Sequence, residues 1–595
     1  MSGTIKRKIK EFILILLLSI FLTISSSLIS CYGFYDGLIK NIFVEYQIFL
    51  LNLLPIIFLV YILRYPFKSL RASFLFMSLL LNIGAYANFV KIVYRQEALK
   101  AVDLTILFEA FKMSQKYSLM LNSPNAKILL ASLIITFIIF FALKDYGLSN
   151  QKRLGKIAVS TLALIILTKT FLFNPAIYAK LGSNLEELNT WIELNSYQAK
   201  GFVYPFIYSI KATMPYKYKE YDEKRAEEIY SSYQYKEIPQ GKKVSVVVVM
   251  LESFKDFYKL QNDNMTFTSD PYWYFHDLQK ESISGDLLVN SFGGGTFKTE
   301  INALTGYKHT PEFNRQVISY PRYLKENGYT NYAFHPNTGI FYNRKNVYKN
   351  IAFDEFFELD NTFSEFAEYP LMDEQFYDYI NQKFNSTLGP RFFFAVTYQN
   401  HGPYPSDHAE YEEPYIEWKD NYNQEDYIYF NNYLHGIESA SNSLKMIVDN
   451  LQESPEPTVF LIFGDHSPSM GENYKTNKML GINSDTGSQE GVRNIYQTPY
   501  LIWANQEAKN ILNNDFKGEG RELEPIFLFS ELFRTMGYGA NQYNQFLRDF
   551  SDDFPVIKET LFKTTEGFTT DLNYNQKKRL TDFYNVEYYT SKKKI

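Results

Sequence analysis

Five long apolar stretches in the first 175 residues constrain the fold of this chain more than any other feature. Most of them approach the roughly 20 residues that a helix needs to cross the core of a bilayer. The first follows a basic segment, as a signal peptide would, but no clear cleavage site follows it and four more stretches come after it. We therefore predict a membrane domain of five helices over 1–175. The stretches are 12–31, 43–63, 72–90, 128–143 and 157–173.

Clusters of lysine and arginine around these stretches predict the orientation of the membrane domain. Basic residues precede the first stretch and follow the second and the fourth, so five crossings place all three clusters on one side. The excess of positive charge identifies that side as the cytoplasm. The loop over 91–127 is also fairly basic and lies on the other side. Everything after residue 173 is then expected outside the cell.

The rest of the chain predicts an α/β domain between two smaller segments. Apolar runs at 244–251, 392–397 and 458–463 suit strands buried on both faces of a parallel sheet. Helical patterns lie between these runs, including 321–327 and 427–451, and such alternation is typical of α/β folds. We assign this domain to 243–540.

A connector and a C-terminal segment flank the predicted α/β domain. The connector, 176–242, contains helical spacing of apolar residues over 185–192, which fits a helix on the membrane surface or one packed on the outer domain. Residues 222–233 form a second, charged helical stretch. The tyrosine-rich segment 541–595 is expected to hold a small subdomain and a tail.

Polar side chains follow each of the three predicted strands. Glu252 follows the first, His401 lies just beyond the second, and Asp465 and His466 follow the third. Ligands of open α/β sheets bind beyond the carboxyl ends of the strands, so we expect these side chains to lie close together.

A glycine-rich segment predicts a nucleophile. Residues 293–295 are glycines, and Thr296 follows them where a helix over 297–304 would start, with Gly306 as its stop. The free N–H groups of a helix N-terminus suit a bound phosphate beside a nucleophile. Thr299, one turn further on, is the alternative nucleophile.

These residues also fit a metal ion. Glu252, Asp465 and His466 offer two carboxylates and one imidazole, and the hydroxyl of Thr296 can complete the set. Such mixed ligands suit Mn²⁺ or Zn²⁺, with Mg²⁺ as an alternative. A cation would make the hydroxyl easier to deprotonate. All seven histidines lie beyond residue 275, whereas the only cysteine is Cys31, so the exported part can form no disulfide.

Together these motifs resemble the lipoteichoic acid synthase family of membrane-anchored phosphoglycerol transferases, in the sulfatase/alkaline phosphatase superfamily. The likeness covers nearly the whole chain. It implies a five-helix transmembrane bundle followed by an exported α/β sulfatase-like domain with a mainly parallel sheet. It also implies that Glu252, Asp465, His466 and Thr296 hold one divalent cation, with Mn²⁺ favoured, and that Thr296 is the nucleophile.

The resemblance extends to substrate residues. Residues 335–344 resemble the family segment that ends in an aromatic residue, Asn and Arg. By this resemblance Arg344 grips the phosphate, Tyr342 lines the glycerol pocket, and His335 and Asn337 are further site candidates. His401 matches the family histidine beside the substrate and would donate a proton to the leaving alcohol.

The family implies transfer of glycerol phosphate from phosphatidylglycerol to a surface glycan or a lipoteichoic acid, through a phospho-threonine intermediate. The host would be a Gram-positive bacterium, with the N-terminus in the cytoplasm. Tyr342 replaces the tryptophan of polymerising synthases, and the glycine-rich segment is closer to the branch that decorates glycans. The net charge of −5 and the lack of a basic block do not suggest a nucleic acid partner.

Three alternatives remain at this stage. A phosphoethanolamine transferase would share the threonine and the metal but generally carries disulfides in its outer domain. Another phosphate or sulfate ester hydrolase of the superfamily is a further reading, although no Cys-x-Pro-x-Arg motif for a true sulfatase is present. The intact ligand set argues against a non-catalytic membrane scaffold.

Overall fold

The computed structural model describes most of the chain in two compact units, Met1–Tyr216 and Lys217–Ile595. The described residues are 3–31, 45–95, 98–106, 122–143, 153–181, 197–213, 218, 220–339, 341–366, 371–471, 474–558 and 561–593.

The first unit is helical. Within its described residues, five helices are long and apolar enough to cross a membrane, which confirms the five predicted stretches. These candidate spans are Ile9–Ser30, Tyr46–Phe67, Leu70–Val93, Pro124–Ala142 and Leu154–Leu172. The helices of this unit are Gly3–Ser30, Tyr46–Phe67, Leu70–Arg95, Ala101–Ile106, Pro124–Ala142, Arg153–Leu167 with its π-helical extension Thr168–Leu172, Pro175–Lys180 and Val203–Thr213.

A buried hydrogen-bond network links three of the spans. The Asn82 side chain accepts from Ser25 Oγ at 2.9 Å and donates to Ser78 Oγ at 3.0 Å and Ser132 Oγ at 2.9 Å. Ser78 Oγ and Thr136 Oγ1 are 2.6 Å apart. Small polar residues let helices approach closely in a membrane, and their hydrogen bonds help to hold the helices together. These three candidate spans are therefore packed against one another.

Helices from the two flanking segments pack together in the second unit. The predicted charged stretch forms the helix Glu223–Ser232, which Asp222 caps by accepting from the Arg225 backbone N–H. The Arg225 guanidinium binds both carboxylate oxygens of Asp582, in the C-terminal helix Tyr574–Lys592, at 3.0 and 2.8 Å. The predicted surface helix at 185–192 lies outside the described residues.

The second unit is built around an eight-stranded sheet with the order β4-β3-β5-β1-β6-β7-β2-β8. The first five strands in this order, β4, β3, β5, β1 and β6, run parallel to one another. Strand β7 is antiparallel to both of its neighbours, β6 and β2. The expected α/β domain with a mainly parallel sheet is confirmed. The strands are β1 (Ser245–Leu251), β2 (Ile283–Leu288), β3 (Thr330–His335), β4 (Glu355–Glu358), β5 (Arg391–Val396), β6 (Thr458–Gly464), β7 (Gln497–Ala504) and β8 (Gly518–Glu519).

Both faces of the sheet are covered by apolar cores. Along β1, Val246 and Val248 face one core, and Val247 and Val249 face the other. This alternation explains the unbroken apolar run, because a strand buried on both sides has no solvent-facing position.

Helices and a small sheet complete this unit. A second, antiparallel sheet comprises β9 (Val556–Ile557), β10 (Phe562–Thr564) and β11 (Gly567–Thr569). The α-helices are Glu223–Ser232, Trp273–Gln279, Thr296–Thr305, Tyr320–Glu326, Arg344–Asn350, Asp373–Ser386, Gln424–Glu453, Lys475–Met479, Gln489–Tyr496, Gln506–Leu512, Leu528–Thr535, Gln542–Asp553 and Tyr574–Lys592. Short 3₁₀ turns are Gln240–Lys242, Tyr258–Leu260, Phe341–Asn343, Phe363–Glu365 and Pro525–Phe527.

The order of the parallel strands brings the predicted polar residues to one edge of the sheet. His335 ends β3, Glu252 follows β1, and Asp465 follows β6. Leu251 pairs in register with Gly464, and the backbone N–H of Asp465 donates to the Leu251 carbonyl at 3.1 Å. Glu252 and Asp465, which directly follow the ends of β1 and β6, therefore lie side by side.

A charged network fixes the segment that follows Glu252. His276 Nδ1 lies 2.7 Å from Asp270 Oδ2, and His276 Nε2 lies 3.1 Å from Asp256 Oδ2. Lys259 Nζ is 3.5 Å from the same Asp256 oxygen. Burial alone lowers the pKa of His276, but the hydrogen bonds and charges of Asp256 and Asp270 outweigh it and raise the pKa to about 9.

This network predicts a loss of stability at alkaline pH. Because the pKa of His276 is raised from 6.5 to about 9, protonated His276 stabilises the fold fully below pH 6.5, and this contribution is lost as the pH rises through 9. As the pH rises from 7 to 10, the melting temperature of the wild type should fall. The fall for His276→Gln should be smaller than that of the wild type by about 2 °C or more. Thermal unfolding of the full chain in detergent measures this.

His408→Gln is the matched control, because the His408 side chain is 62% exposed beside Asp407, which is 87% exposed. It should follow the wild-type pH profile. Identical profiles for His276→Gln and the wild type would contradict the assignment.

Candidate active site

The glycine-rich segment shapes the start of the helix Thr296–Thr305. Gly293, Gly294 and Gly295 have φ values of 63°, 142° and 87°, which residues with a Cβ rarely adopt. A Cβ at Gly295 would also lie 3.1 Å from Ser291 Cβ. The three glycines thus allow a tight turn that places Thr296 as the first residue of the helix.

Thr296 lies among the three predicted metal ligands. Its Oγ1 is 3.3 Å from Glu252 Oε2 and 3.4 Å from His466 Nε2. His466 Nε2 is 3.6 Å from Glu252 Oε1 and 3.2 Å from Asp465 Oδ2. One ligand atom from each of Glu252, Asp465 and His466 lies within 4.8 Å of the others, and all three residues are buried.

The chemistry of this cluster fits a divalent cation. His466 Nδ1 lies 3.1 Å from the Ser467 carbonyl, which can only accept, so Nδ1 carries a proton and Nε2 faces the cluster. Burial lowers the pKa of His466, but the charges of Asp465 and Glu252 outweigh it and raise the pKa, so a proton on Nε2 would compete with a cation. Asp465 Oδ2 is buried without a hydrogen-bond partner in the described part of the chain. Burial and the charge of Glu252 raise the pKa of Asp465 to about 7, a repulsion that a cation would relieve.

Two neighbouring residues hold the carboxylates in place. The Ser253 hydroxyl donates to Glu252 Oε1 at 2.9 Å, and the Ser253 backbone N–H donates to Asp465 Oδ1 at 2.8 Å. Ser253 has a φ of 53°, an uncommon conformation for a serine that often marks functional sites. Thr397 Oγ1 accepts from the Glu252 backbone N–H at 2.9 Å.

Thr299 has a different position from Thr296. Its hydroxyl donates to the Asp465 carbonyl at 2.7 Å and lies 3.2 Å from Ser291 Oγ. The side chain is fully buried. These contacts make Thr299 a support of the Asp465 backbone, and the geometry favours Thr296 over Thr299 as the nucleophile.

Arg344 is buried against the helix that begins at Thr296. Its Nε and Nη2 donate to Glu300 Oε2 at 3.0 and 2.8 Å. Tyr342 lies beside this pair, with its ring centroid 5.4 Å from the guanidinium carbon and stacked on Phe297 at 5.1 Å. The sequence analysis named Arg344 and Tyr342 as candidate substrate residues but did not name Glu300. The only sign of Glu300 in the sequence is that it lies four residues after Thr296.

The two predicted histidines of the substrate site are close to this region. His335 Nδ1 is 3.0 Å from the Val396 carbonyl, and burial followed by the charges of Arg344 and His401 holds the pKa of His335 well below its usual value. His335 is therefore neutral. His401 is exposed, and its ring stacks on Tyr398 with centroids 4.9 Å apart.

Asn337 is the last of the predicted substrate residues. Asn337 Oδ1 accepts from the Thr338 backbone N–H at 2.7 Å, so it shapes the loop after β3.

Asp373 was not identified from the sequence, where it looks like an ordinary acidic residue at a helix start. Its carboxyl is buried, and burial followed by the charge of Glu252 raises the pKa of Asp373 to about 7.

The cluster predicts that metal binding stabilises the protein and that Asp465→Asn removes this effect. A hundredfold excess of Mn²⁺ over its dissociation constant should add about 2.7 kcal/mol to the free energy of unfolding of the wild type. Without metal, Asp465→Asn should be at least as stable as the wild type, because the repulsion with Glu252 is gone. Thermal unfolding of chelator-treated protein, with and without Mn²⁺, measures both effects.

The control is Asp407→Asn, since the Asp407 side chain is 87% exposed. It should keep the full response to Mn²⁺. An equal rise in melting temperature for Asp465→Asn and the wild type would contradict the proposed ligand set.

Comparisons with known proteins agree with the fold of this domain. The family model described as Sulfatase matches residues 245–538. The fold resembles that of the Streptococcus pyogenes phosphoglycerol transferase GacH, solved in complex with sn-glycerol-1-phosphate. That likeness has a TM-score of 0.50 and 20% sequence identity, and it covers 63% of this chain and 94% of the other.

Curated relatives match part of the chain. A Rhizobium meliloti protein whose name assigns it to the modification of cyclic beta-1,2-glucan is 29% identical over 347 residues, which is 55% of this chain and 50% of that protein. Lipoteichoic acid synthase 2 of Bacillus subtilis is 24% identical over 258 residues, which is 40% of this chain and 37% of that protein. The chain thus spans half or less of the length of these relatives. Residues 245–538 form a sulfatase-family domain, and the chain is similar to lipoteichoic acid synthases of the sulfatase/alkaline phosphatase superfamily over part of its length.

Proposed function

We propose that this chain transfers glycerol phosphate from phosphatidylglycerol to a hydroxyl group of a surface glycan or a lipoteichoic acid. The observation that carries the proposal is the position of the Thr296 hydroxyl, 3.3 Å from Glu252 and 3.4 Å from His466 at the start of a helix. A hydroxyl beside a metal-ligand cluster and the N–H groups of a helix N-terminus suits attack on a phosphate.

The donor group is inferred from the residues around Thr296. Arg344 has buried N–H donors suited to phosphate oxygens. Neutral His335 can accept a hydrogen bond from a glycerol hydroxyl, and Tyr342 supplies an aromatic wall. The complex of GacH with sn-glycerol-1-phosphate supports glycerol phosphate as the transferred group. Asn337 contributes by shaping the loop that carries these residues.

In the first step Thr296 Oγ1 loses its proton to water and attacks the phosphorus of the lipid. A Thr296–phosphate ester bond forms, and the bond from phosphorus to the diacylglycerol oxygen breaks. That oxygen takes up a proton, for which His401 is the proposed donor. A divalent cation held by Glu252, Asp465, His466 and Thr296, with Mn²⁺ favoured, would lower the pKa of the hydroxyl and offset phosphate charge.

In the second step an acceptor hydroxyl attacks the same phosphorus. The new phosphate ester forms on the acceptor, the bond to Thr296 breaks, the acceptor proton passes to His401, and the Thr296 oxygen regains a proton from water. His401, which is exposed, is suited to removing that proton because the same group serves as acid and base in the two half-reactions.

The membrane helices fit a lipid donor. We place the N-terminus in the cytoplasm and the sulfatase-family domain outside the plasma membrane of a Gram-positive bacterium, where a role in cell wall biogenesis follows. An anchored catalytic domain stays close to the lipid headgroups that it cleaves. Phosphatidylethanolamine is the alternative donor, and the absence of cysteine beyond residue 31 favours phosphatidylglycerol.

The central prediction concerns Thr296. Incubation of the full chain with labelled phosphatidylglycerol and Mn²⁺ should release diacylglycerol, and Thr296→Ala should lower the rate at least about a thousandfold because the nucleophile is gone. Thr296→Ser keeps a hydroxyl and should retain measurable activity. Thr299→Val keeps the nucleophile and should be far more active than Thr296→Ala.

Several results would contradict the proposal. Equal release by Thr296→Ala and the wild type rules out the threonine mechanism. Faster cleavage of phosphatidylethanolamine than of phosphatidylglycerol would instead favour the alternative donor.

The acceptor is found by comparing the surface glycans of strains with and without this protein. In the strain without it, one of these glycans should lack glycerol phosphate.

A further inference from the structure

The ion pair between Glu300 and Arg344 has an unusual geometry. The Glu300 side chain is 0% exposed and that of Arg344 is 1% exposed. Both hydrogen bonds from the guanidinium end on the same carboxylate oxygen, Oε2, at 3.0 and 2.8 Å. Arg344 Nη1 is also buried and has no hydrogen-bond partner in the described part of the chain.

This unpaired nitrogen calls for an acceptor. A buried polar group without a partner destabilises the fold, and a charged group does so more strongly. Burial lowers the pKa of Arg344, but the charge and the hydrogen bonds of Glu300 outweigh it and raise the pKa, so the guanidinium stays charged. A phosphate oxygen is the kind of acceptor that a guanidinium edge binds best.

Glu300 also ties Arg344 to the nucleophile. Residues four apart lie on the same face of an α-helix, and Glu300 comes four residues after Thr296 in the helix Thr296–Thr305. The carboxylate therefore fixes the guanidinium relative to the rigid element that begins with the Thr296 hydroxyl. The aromatic ring of Tyr342, 5.4 Å from the guanidinium carbon, further restricts its movement.

We propose that Glu300 is a positioning residue, which binds Nε and Nη2 of Arg344 so that Nη1 is offered to a phosphate oxygen of the substrate. The ligand class is a phosphate ester of glycerol. This inference rests on the proposed function, since it concerns the same phosphate. Glu300 itself does not touch the substrate and acts through Arg344.

The test measures binding of sn-glycerol-1-phosphate by calorimetry to the full chain in detergent with Mn²⁺. Glu300→Gln should weaken binding about tenfold, the lower end of what the loss of such a supporting partner costs. Arg344→Gln should weaken it at least as much. The double variant should bind no more weakly than Arg344→Gln alone, because Glu300 acts only through the guanidinium.

Two controls separate positioning from general damage. Glu522→Gln makes the same change in another Arg–Glu pair, in which Arg493 Nε and Nη2 bind the two oxygens of Glu522 at 2.8 and 2.9 Å, and it should leave binding unchanged. Mn²⁺ affinity should be the same in all variants. If Glu300→Gln unfolds, Glu300→Asp carries the test, because it keeps the charge but draws back from Arg344.

The outcomes are distinct. Wild-type affinity in Glu300→Gln, additive losses in the double variant, or no binding of sn-glycerol-1-phosphate by the wild type each overturns the inference. Binding is measured without lipid turnover, so a failure to cleave phosphatidylglycerol leaves this result readable and affects only the proposed function.

Discussion

Two buried carboxylates placed side by side are the constraint on which the site depends. Glu252 and Asp465 follow adjacent strands in register, so the sheet itself forces their charges together. Burial and mutual repulsion raise the pKa of Asp465 to about 7, a cost that a divalent cation would remove. Ser253 donates to both carboxylates and so keeps them oriented towards His466. The arrangement fits a binding site for positive charge.

The strand order explains why residues far apart in sequence meet at this cluster. β3, β5, β1 and β6 are consecutive in the sheet and parallel, so their carboxyl ends form one edge. The segment after β2 reaches the same region, because Phe292 bridges Ser467 and the Gly293 N–H donates to the Ser467 carbonyl at 3.0 Å. The glycine-rich turn then places Thr296 beside the carboxylates.

Much of this could be predicted from the sequence because the signals are local. The membrane spans and the buried strands are apolar runs, and the three glycines before Thr296 mark the start of a helix. The pairing of Glu300 with Arg344 could not be predicted, since it joins residues 44 positions apart and depends on how a loop packs on a helix. Ser253 and Asp373 were missed for the same reason: their roles come from burial and backbone geometry, which leave no pattern in the residue types.

The helix Thr296–Thr305 unites the three parts of the site. Its first residue lies in the metal-ligand cluster, Thr299 holds the Asp465 carbonyl at 2.7 Å, and Glu300 holds Arg344. A movement of this helix would therefore displace the proposed nucleophile, the backbone of a proposed metal ligand and the proposed phosphate-binding arginine together. Attack on phosphorus requires these three groups to keep fixed relative positions. One short helix that contacts all of them would fix those positions. The buried Thr299 and Glu300 side chains thus help to hold the geometry around Thr296.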